Sequence, residues 1–144
     1  VTAGNRGEMI PAQIDRFGRL GDGIITTYLT DDDCRKLREL GNEALAKHGR
    51  RLPDFPMCVY TTVRIEEDPA KAEAVTREFL EKYYGGGVNY RGLMGLGPAA
   101  AVIETLKRYE AAGATDLCIR FAGADQLSQL DQFISGVAPA FAAR

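Results

Sequence analysis

The run Arg16-Phe17-Gly18-Arg19-Leu20-Gly21-Asp22-Gly23-Ile24-Ile25-Thr26-Thr27-Tyr28 constrains the fold more than any other part of the chain. It reads as a helix end, a glycine-aspartate-glycine turn and a short buried strand from Ile24 to Tyr28. Upstream, Val1-Thr2-Ala3-Gly4-Asn5-Arg6-Gly7-Glu8 reads as a strand running into a glycine-bearing loop that opens the same helix. A strand, a glycine loop and a helix N-terminus together make a place to hold a phosphate. The stretch from Arg108-Tyr109 to Phe121 echoes the order of basic residue, aromatic, helix end, glycine, acid and strand. Helix-then-strand units of this kind imply parallel strands joined by helical crossovers. Four strands with four following helices are half of an eightfold β/α barrel of the TIM type. A small open α/β sheet with helices on both faces is the alternative that the pattern leaves open.

The remaining elements follow from spacing and punctuation. Pro11 suits a first helical turn, with Ile14 and Phe17 on one face and Gly21 at the end. Thr30 with Asp33 resembles a capping box, and Cys34, Leu37, Gly41, Ala44, Leu45 and His48 make the buried stripe of the helix it starts, which Gly49 stops. Met57 to Ile65 is the longest strand candidate. Asp68-Pro69 is an N-cap followed by proline at the first helical position, with Ala72, Val75, Phe79 and Tyr83 on the inner face. Gly85-Gly86-Gly87 ends that helix and begins an irregular segment to Gly97. Pro98 opens a helix with Val102, Ile103, Leu106 and Tyr109 inward and Gly113 closing it. Asp116 to Phe121 is a strand, Ala122-Gly123-Ala124 a tight loop, and Leu127, Leu130, Phe133, Ile134 and Val137 the apolar face of a final helix before Pro139.

Composition excludes several classes. A net charge of −2, with no cluster of lysines and arginines, gives no face for nucleic acid. No apolar run approaches membrane-spanning length, and no signal-peptide pattern opens the chain. With 45% hydrophobic and 26% charged residues, the 144 residues suit a single domain, or part of a larger one. The first residue is valine, which points to a processed, cleaved or truncated start. Cys34, Cys58 and Cys118 lack the spacing of a zinc site or a disulfide framework, and Cys58 and Cys118 read as buried reduced thiols. Cytoplasm is the default compartment.

Few residues carry chemistry by themselves. Asp22 between two glycines caps its own backbone or reaches a ligand, the former being the simpler reading. His48, the lone histidine, sits at a helix end where a cation suits the dipole. Asp31-Asp32-Asp33 lacks calcium-loop spacing and reads as a solvated helix start. Gly85-Gly86-Gly87 with Tyr90 and Arg91 fits a lid over a barrel mouth or a flexible linker.

The order Thr2-Ala3-Gly4-Asn5-Arg6-Gly7, then Arg16-Phe17-Gly18-Arg19-Leu20-Gly21-Asp22-Gly23, resembles the luciferase-like monooxygenases. So do Glu67-Asp68-Pro69-Ala70-Lys71-Ala72 after a long strand, Leu96-Gly97-Pro98 opening a helix that ends Tyr109-Glu110-Ala111-Ala112-Gly113, and the tail from Asp125-Gln126-Leu127 through Phe133 to Pro139. Leucine-glycine-aspartate-glycine is the most specific of these pieces. The resemblance is to the C-terminal half of the family's barrel, strands five to eight, so residues 1–144 are expected to form one half-barrel domain without the N-terminal half.

What the resemblance implies is a flavin-dependent oxidoreductase of monooxygenase type. Its cofactor is FMN or, alternatively, the deazaflavin coenzyme F420, at the C-terminal ends of the strands, and its substrate a small organic molecule. The matching phosphate loop is Ala3, Gly4, Asn5, Arg6, Gly7 and Glu8. Gly4 and Gly7 let backbone amides approach an anion, Asn5 donates an amide and Arg6 pairs with phosphate oxygens. Glu8 departs from the hydroxyl or small residue often found there. A carboxylate a few ångströms from a phosphate is repelled by about 1 kcal/mol in water-like surroundings, unless Glu8 points away as a first-turn acid. The family has no shared catalytic triad, and no catalytic residue is assigned.

A half-barrel has two unpaired edges and an apolar inner face, which calls for a homo-oligomer or for association with an N-terminal half-barrel. The reading from another class is a non-catalytic, self-associating α/β binding module.

Overall fold

The computed structural model describes residues 1–5, 8–85 and 94–142. Among these, five α-helices alternate with short strands: β1 (Gly4–Asn5), β2 (Glu8–Met9), α1 (Pro11–Leu20), β3 (Ile24–Thr27), α2 (Asp31–Lys47), β4 (Met57–Ile65), α3 (Pro69–Tyr84), β5 (Gly95–Gly97), α4 (Ala99–Ala111), β6 (Asp116–Phe121) and α5 (Gln126–Gly136). A 3-10 turn, Ala138–Phe141, follows. β3 to β6 make one sheet in which β4 pairs with each of the other three. The fold is α/β with parallel strands, as expected for β/α barrel units.

Residues group into two compact units, one built from 1–61 and 108–118, the other from 62–85, 94–107 and 119–142. In the first, Val1–Ala3 runs parallel to β3: Thr2 bridges Ile25, the Ala3 amide donates to the Ile25 carbonyl, and the Ile25 amide to that of Val1. β3 pairs in parallel with the start of β4, Ile24 opposite Met57 and Thr27 opposite Tyr60. The Thr115 amide, just before β6, donates to the Met57 carbonyl. Val1–Ala3, β3, β4 and β6 are therefore neighbours in chain order. Phe17, Leu37, Leu45, Phe55, Met57, Val59 and Tyr109 form the core of this unit. Gly18 lets α1 approach α2 closely, since a Cβ there would lie 2.4 Å from the Ala44 carbonyl oxygen.

In the second unit β5 pairs in parallel with the end of β4, Val63 opposite Gly95. The irregular segment expected up to Gly97 thus ends in a strand, and residues 86–93 lie outside the described ones. The final residues of β4 are buried on both faces, from Thr61 to Ile65.

The capping box forms as expected, with the Thr30 hydroxyl accepting from the Asp33 amide at 3.1 Å and the Asp33 carboxylate accepting from the Thr30 amide at 3.2 Å. Asp68 caps α3 through the Ala70 amide. Two helix faces differ from expectation. α3 buries Ala72, Thr76 and Leu80, whereas Tyr83 is 67% exposed. α5 buries Gln129 and leaves Leu127, Leu130 and Ile134 exposed, because the Gln129 amide pairs with the backbone of Ile65. Cys34 is the buried thiol, whereas Cys58 is half-buried and Cys118 exposed, although both lie in strands.

Candidate functional site

Parallel β/α folds bind ligands at the C-terminal ends of their strands, and those ends hold the unusual groups of this chain. Past Ala3 the backbone enters an antiparallel hairpin, Gly4 opposite Met9 and Asn5 opposite Glu8, which closes when the Ile10 amide donates to the Ala3 carbonyl at 3.1 Å. The candidate loop is thus a hairpin continuing the strand, not a turn leading straight into a helix. Glu8 lies in β2, exposed, and is not a first-turn acid of α1. Arg6 and Gly7 lie outside the described residues. Ala3 is fully buried and anchors the hairpin to β3.

At the end of β3, Tyr28 has φ 57°, the left-handed region, and among the described residues no other side-chain-bearing residue has a positive φ. For a bulky residue that conformation is an outlier. Three contacts hold the turn that follows. The Tyr109 hydroxyl donates to the Leu29 carbonyl at 2.8 Å, the capping box fixes Thr30, and the Arg108 guanidinium grips both oxygens of Asp31 at 3.3 and 3.1 Å. Burial is the largest single influence and pushes the Asp31 carboxyl upward, but the hydrogen bonds and positive charge of Arg108, helped by the local backbone and Arg35, together hold it below its ordinary range. Asp31 is thus a paired, largely buried acid, where the sequence suggested a solvated one.

In the second unit, Arg64 near the end of β4 is buried. Its guanidinium bonds the carboxylates of Glu66 and Asp125 and the Ala122 carbonyl. Lys71 completes the network with a 2.9 Å bond to Glu66. Lys71 and Arg64 together hold the Glu66 carboxyl low, and Arg64 does the same for Asp125. Two bonded carboxylates offset the desolvation of the guanidinium. Sequence reasoning missed this cluster, although a lone arginine inside the run Val59 to Ile65 was the available signal. Nearby, Arg120 donates to Thr62 Oγ1 at 3.0 Å and to the Tyr84 hydroxyl at 2.8 Å, with the Phe79, Tyr83 and Tyr84 rings within 5.6 Å. A cleft of about 420 Å³ in this unit is walled in part by Glu78 and Lys82, which pair with each other and so neutralise one another.

Other candidates are structural. The exposed Asp22 carboxylate accepts from Arg50 at 2.9 Å and does not cap its own turn. His48 shares Asp15 with Lys47. Among the described residues no group of acids, histidines and cysteines could hold a metal, and no helix is long and apolar enough to cross a membrane.

Comparison with known proteins agrees with this architecture. An F420-dependent secondary alcohol dehydrogenase, solved with an F420-acetone adduct, is similar with a TM-score of 0.75 at 15% identity, over 92% of this chain and 47% of its own. The coenzyme F420-dependent tetrahydromethanopterin reductase of Methanopyrus kandleri gives 0.67 at 16%, over 92% and 49%. The oxygenating constituent of 3,6-diketocamphane monooxygenase from Pseudomonas putida, a type II Baeyer-Villiger monooxygenase solved with FMN, gives 0.65 at 15%, over 97% and 48%. At these identities the likeness is one of fold, and the chain spans about half the length of each relative. No curated protein matches the chain in sequence. The family described as luciferase-like monooxygenase matches residues 7–118, well over half of the chain. By that match, and with a parallel sheet laid out as in its barrel relatives, the chain belongs to the luciferase-like monooxygenase family.

Proposed function

We propose that this chain contributes one half of a flavin-dependent oxidoreductase site, in which Ala3, Gly4, Asn5, Arg6, Gly7 and Glu8 hold the phosphate of FMN or of the deazaflavin F420. One observation carries the reading. The β1–β2 hairpin prolongs Val1–Ala3 beyond the strand that pairs with β3, at the C-terminal end where parallel barrels take their ligands. The residue types suit an anion: glycines leave the backbone open, Asn5 donates an amide and Arg6 offers a planar fork of donors. When bound, the reduced cofactor supplies the electrons, for oxygen chemistry with FMN or hydride transfer with the deazaflavin. The chain's part is to grip the phosphate, orient the ring system and keep water from it.

Relatives about twice as long imply that half of the site wall comes from elsewhere. That length supports completion of the site by an N-terminal half-barrel, a homologous subunit or a second copy. The 40% exposure of Ile25, on a strand face that a closed barrel would cover, favours such association. Glu8 opposite Asn5 favours a second reading, a binding module that kept the fold and lost the chemistry.

Titration with FMN, followed by quenching of flavin fluorescence, separates the two readings. Binding that inorganic phosphate competes away is expected. Failure to bind FMN even when an N-terminal half-barrel of the family is supplied refutes the cofactor role. Light scattering after size-exclusion chromatography tests association, and a stable monomer at micromolar concentration overturns it.

A further inference from the structure

α5 carries a single charge, Asp131, in 11 residues. Three contacts fix its inner side: Gln129 on the Ile65 backbone, the Phe133 ring edge-on to Phe121 at 5.6 Å, and Gly136 close to Ala99. Turned away from that side, Leu127, Leu130 and Ile134 are 79%, 40% and 58% exposed. At about 100° per residue the three fall within an arc of about 60°, so they form one apolar ridge. The outer face of α3, by contrast, carries Glu73, Arg77, Glu78 and Lys82, paired with one another. Charge gives way to apolar groups in this manner where a surface is the core of an interface.

α1 offers the complementary surface. It buries Ile14, Phe17 and Gly18 and leaves Leu20 68% exposed, with exposed Arg16 one turn before it and exposed Arg19 beside it. Among the described residues neither these arginines nor Asp131 are ion-paired. α1 follows Val1–Ala3 and α5 follows β6, the two outer strands of the order Val1–Ala3, β3, β4, β6. Four β/α units are half of an eight-unit barrel, and the barrel relatives are about twice as long, so two copies supply one barrel. A two-fold axis along such a barrel keeps every strand parallel and sets the last helix of each copy beside the first helix of the other.

We infer that the partner is a second copy of this chain, the α5 ridge of each copy seated on α1 of the other. Leu127, Leu130 and Ile134 cover the exposed Leu20 across the contact, and Asp131 faces Arg16 and Arg19. The inference rests on the proposed completion of the site and names the partner and the surface.

The test measures dimer dissociation constants by sedimentation and light scattering at low salt. Wild type is expected to dimerise at micromolar concentration. Leu127→Glu with Ile134→Glu, at positions exposed in the single chain, should leave the circular dichroism unchanged and weaken the dimer about tenfold or more. Asp131→Arg, and separately Arg16→Glu with Arg19→Glu, should each weaken the homodimer. Mixed in equal amounts, these two charge variants should regain the dimer, because opposite charges then meet across both contacts. Ridge variants that dimerise like wild type, or a mixture no tighter than its separate components, overturn the inference and leave association through another face standing. A wild type that stays monomeric at micromolar concentration overturns it too, whether or not an added N-terminal half-barrel takes the ridge, and the FMN titration judges the cofactor role separately.

Discussion

Replacing Gln129 with leucine isolates an interaction that no helix pattern discloses. The Ile65 amide donates to Gln129 Oε1 at 2.7 Å, and Gln129 Nε2 donates to the Ile65 carbonyl at 3.0 Å. On the same edge of β4, one residue pair earlier, the Ala122 amide donates to the Val63 carbonyl. There β6 ends, and the glutamine amide continues the ladder as a one-residue strand. Gln129→Leu preserves the volume and strips both partners from a buried backbone group. Each orphaned group costs about 1–3 kcal/mol. The added apolar burial returns about 1–2 kcal/mol. The net loss is about 3 kcal/mol, a large share of the stability of a domain this size. Equilibrium urea denaturation followed by far-ultraviolet circular dichroism measures it, with the slope expected to stay unchanged. Gln129→Glu sharpens the test. Its ionised form sets a negative oxygen against the Ile65 carbonyl, whereas the protonated form can donate there, so the deficit relative to wild type should shrink as the pH falls. A loss below about 1 kcal/mol for Gln129→Leu, or a Gln129→Glu deficit independent of pH, refutes the strand-surrogate account.

Three further outcomes follow from the same reasoning. Gly18→Ala gains about 1 kcal/mol of helix propensity, but its Cβ would meet the Ala44 backbone at 2.4 Å, and overpacking of that kind costs about 1–3 kcal/mol, so a net loss is expected in thermal unfolding. Tyr28→Gly should be more stable than Tyr28→Ala by about 1 kcal/mol, since both lack the ring and only alanine bears the left-handed strain, and equal stabilities would show that position 28 is unstrained. Glu66 and Asp125 have folded pKa values below their ordinary 4.5 and 3.8, so their contribution is complete above those values and disappears as pH falls through the lower folded ones. Acid titration of stability should therefore show a decline beginning near pH 4.5 that Glu66→Gln flattens, and an unchanged profile in that variant would remove Glu66 from the network.

Local chemistry made most of the elements legible. Thr30 with Asp33, and Asp68 before Pro69, satisfy their helix ends within a few residues, and both were readable as written. Met57 to Ile65 and Asp116 to Phe121 announce themselves by β-branched and aromatic runs and have the expected bounds. What failed depends on partners distant in sequence. The inner faces of α3 and α5 were read from apolar spacing, but Thr76 and Gln129 occupy them, because the neighbouring backbone decides which face is covered. The Arg64 cluster joins residues on three elements, so spacing could disclose the arginine but not Asp125. At the candidate site, the glycines marked the bend after Ala3, whereas the hairpin rests on two residue pairs too short to show a strand pattern.

The rules that this chain breaks are not scattered at random along it. The left-handed Tyr28 ends β3, the buried Arg64 with its two carboxylates ends β4, and Asp125 stands just past β6. At the opposite ends of the strands the groups obey ordinary chemistry: the Ile24 amide donates to the Pro56 carbonyl, and the Met57 amide to the Thr115 hydroxyl. Consistent local choices produce a stable fold, and departures from them persist where something other than stability selects the residue. In a parallel β/α architecture that place is the C-terminal end of the strands. Paired charges explain Arg64 within the fold itself, so its cluster needs no ligand.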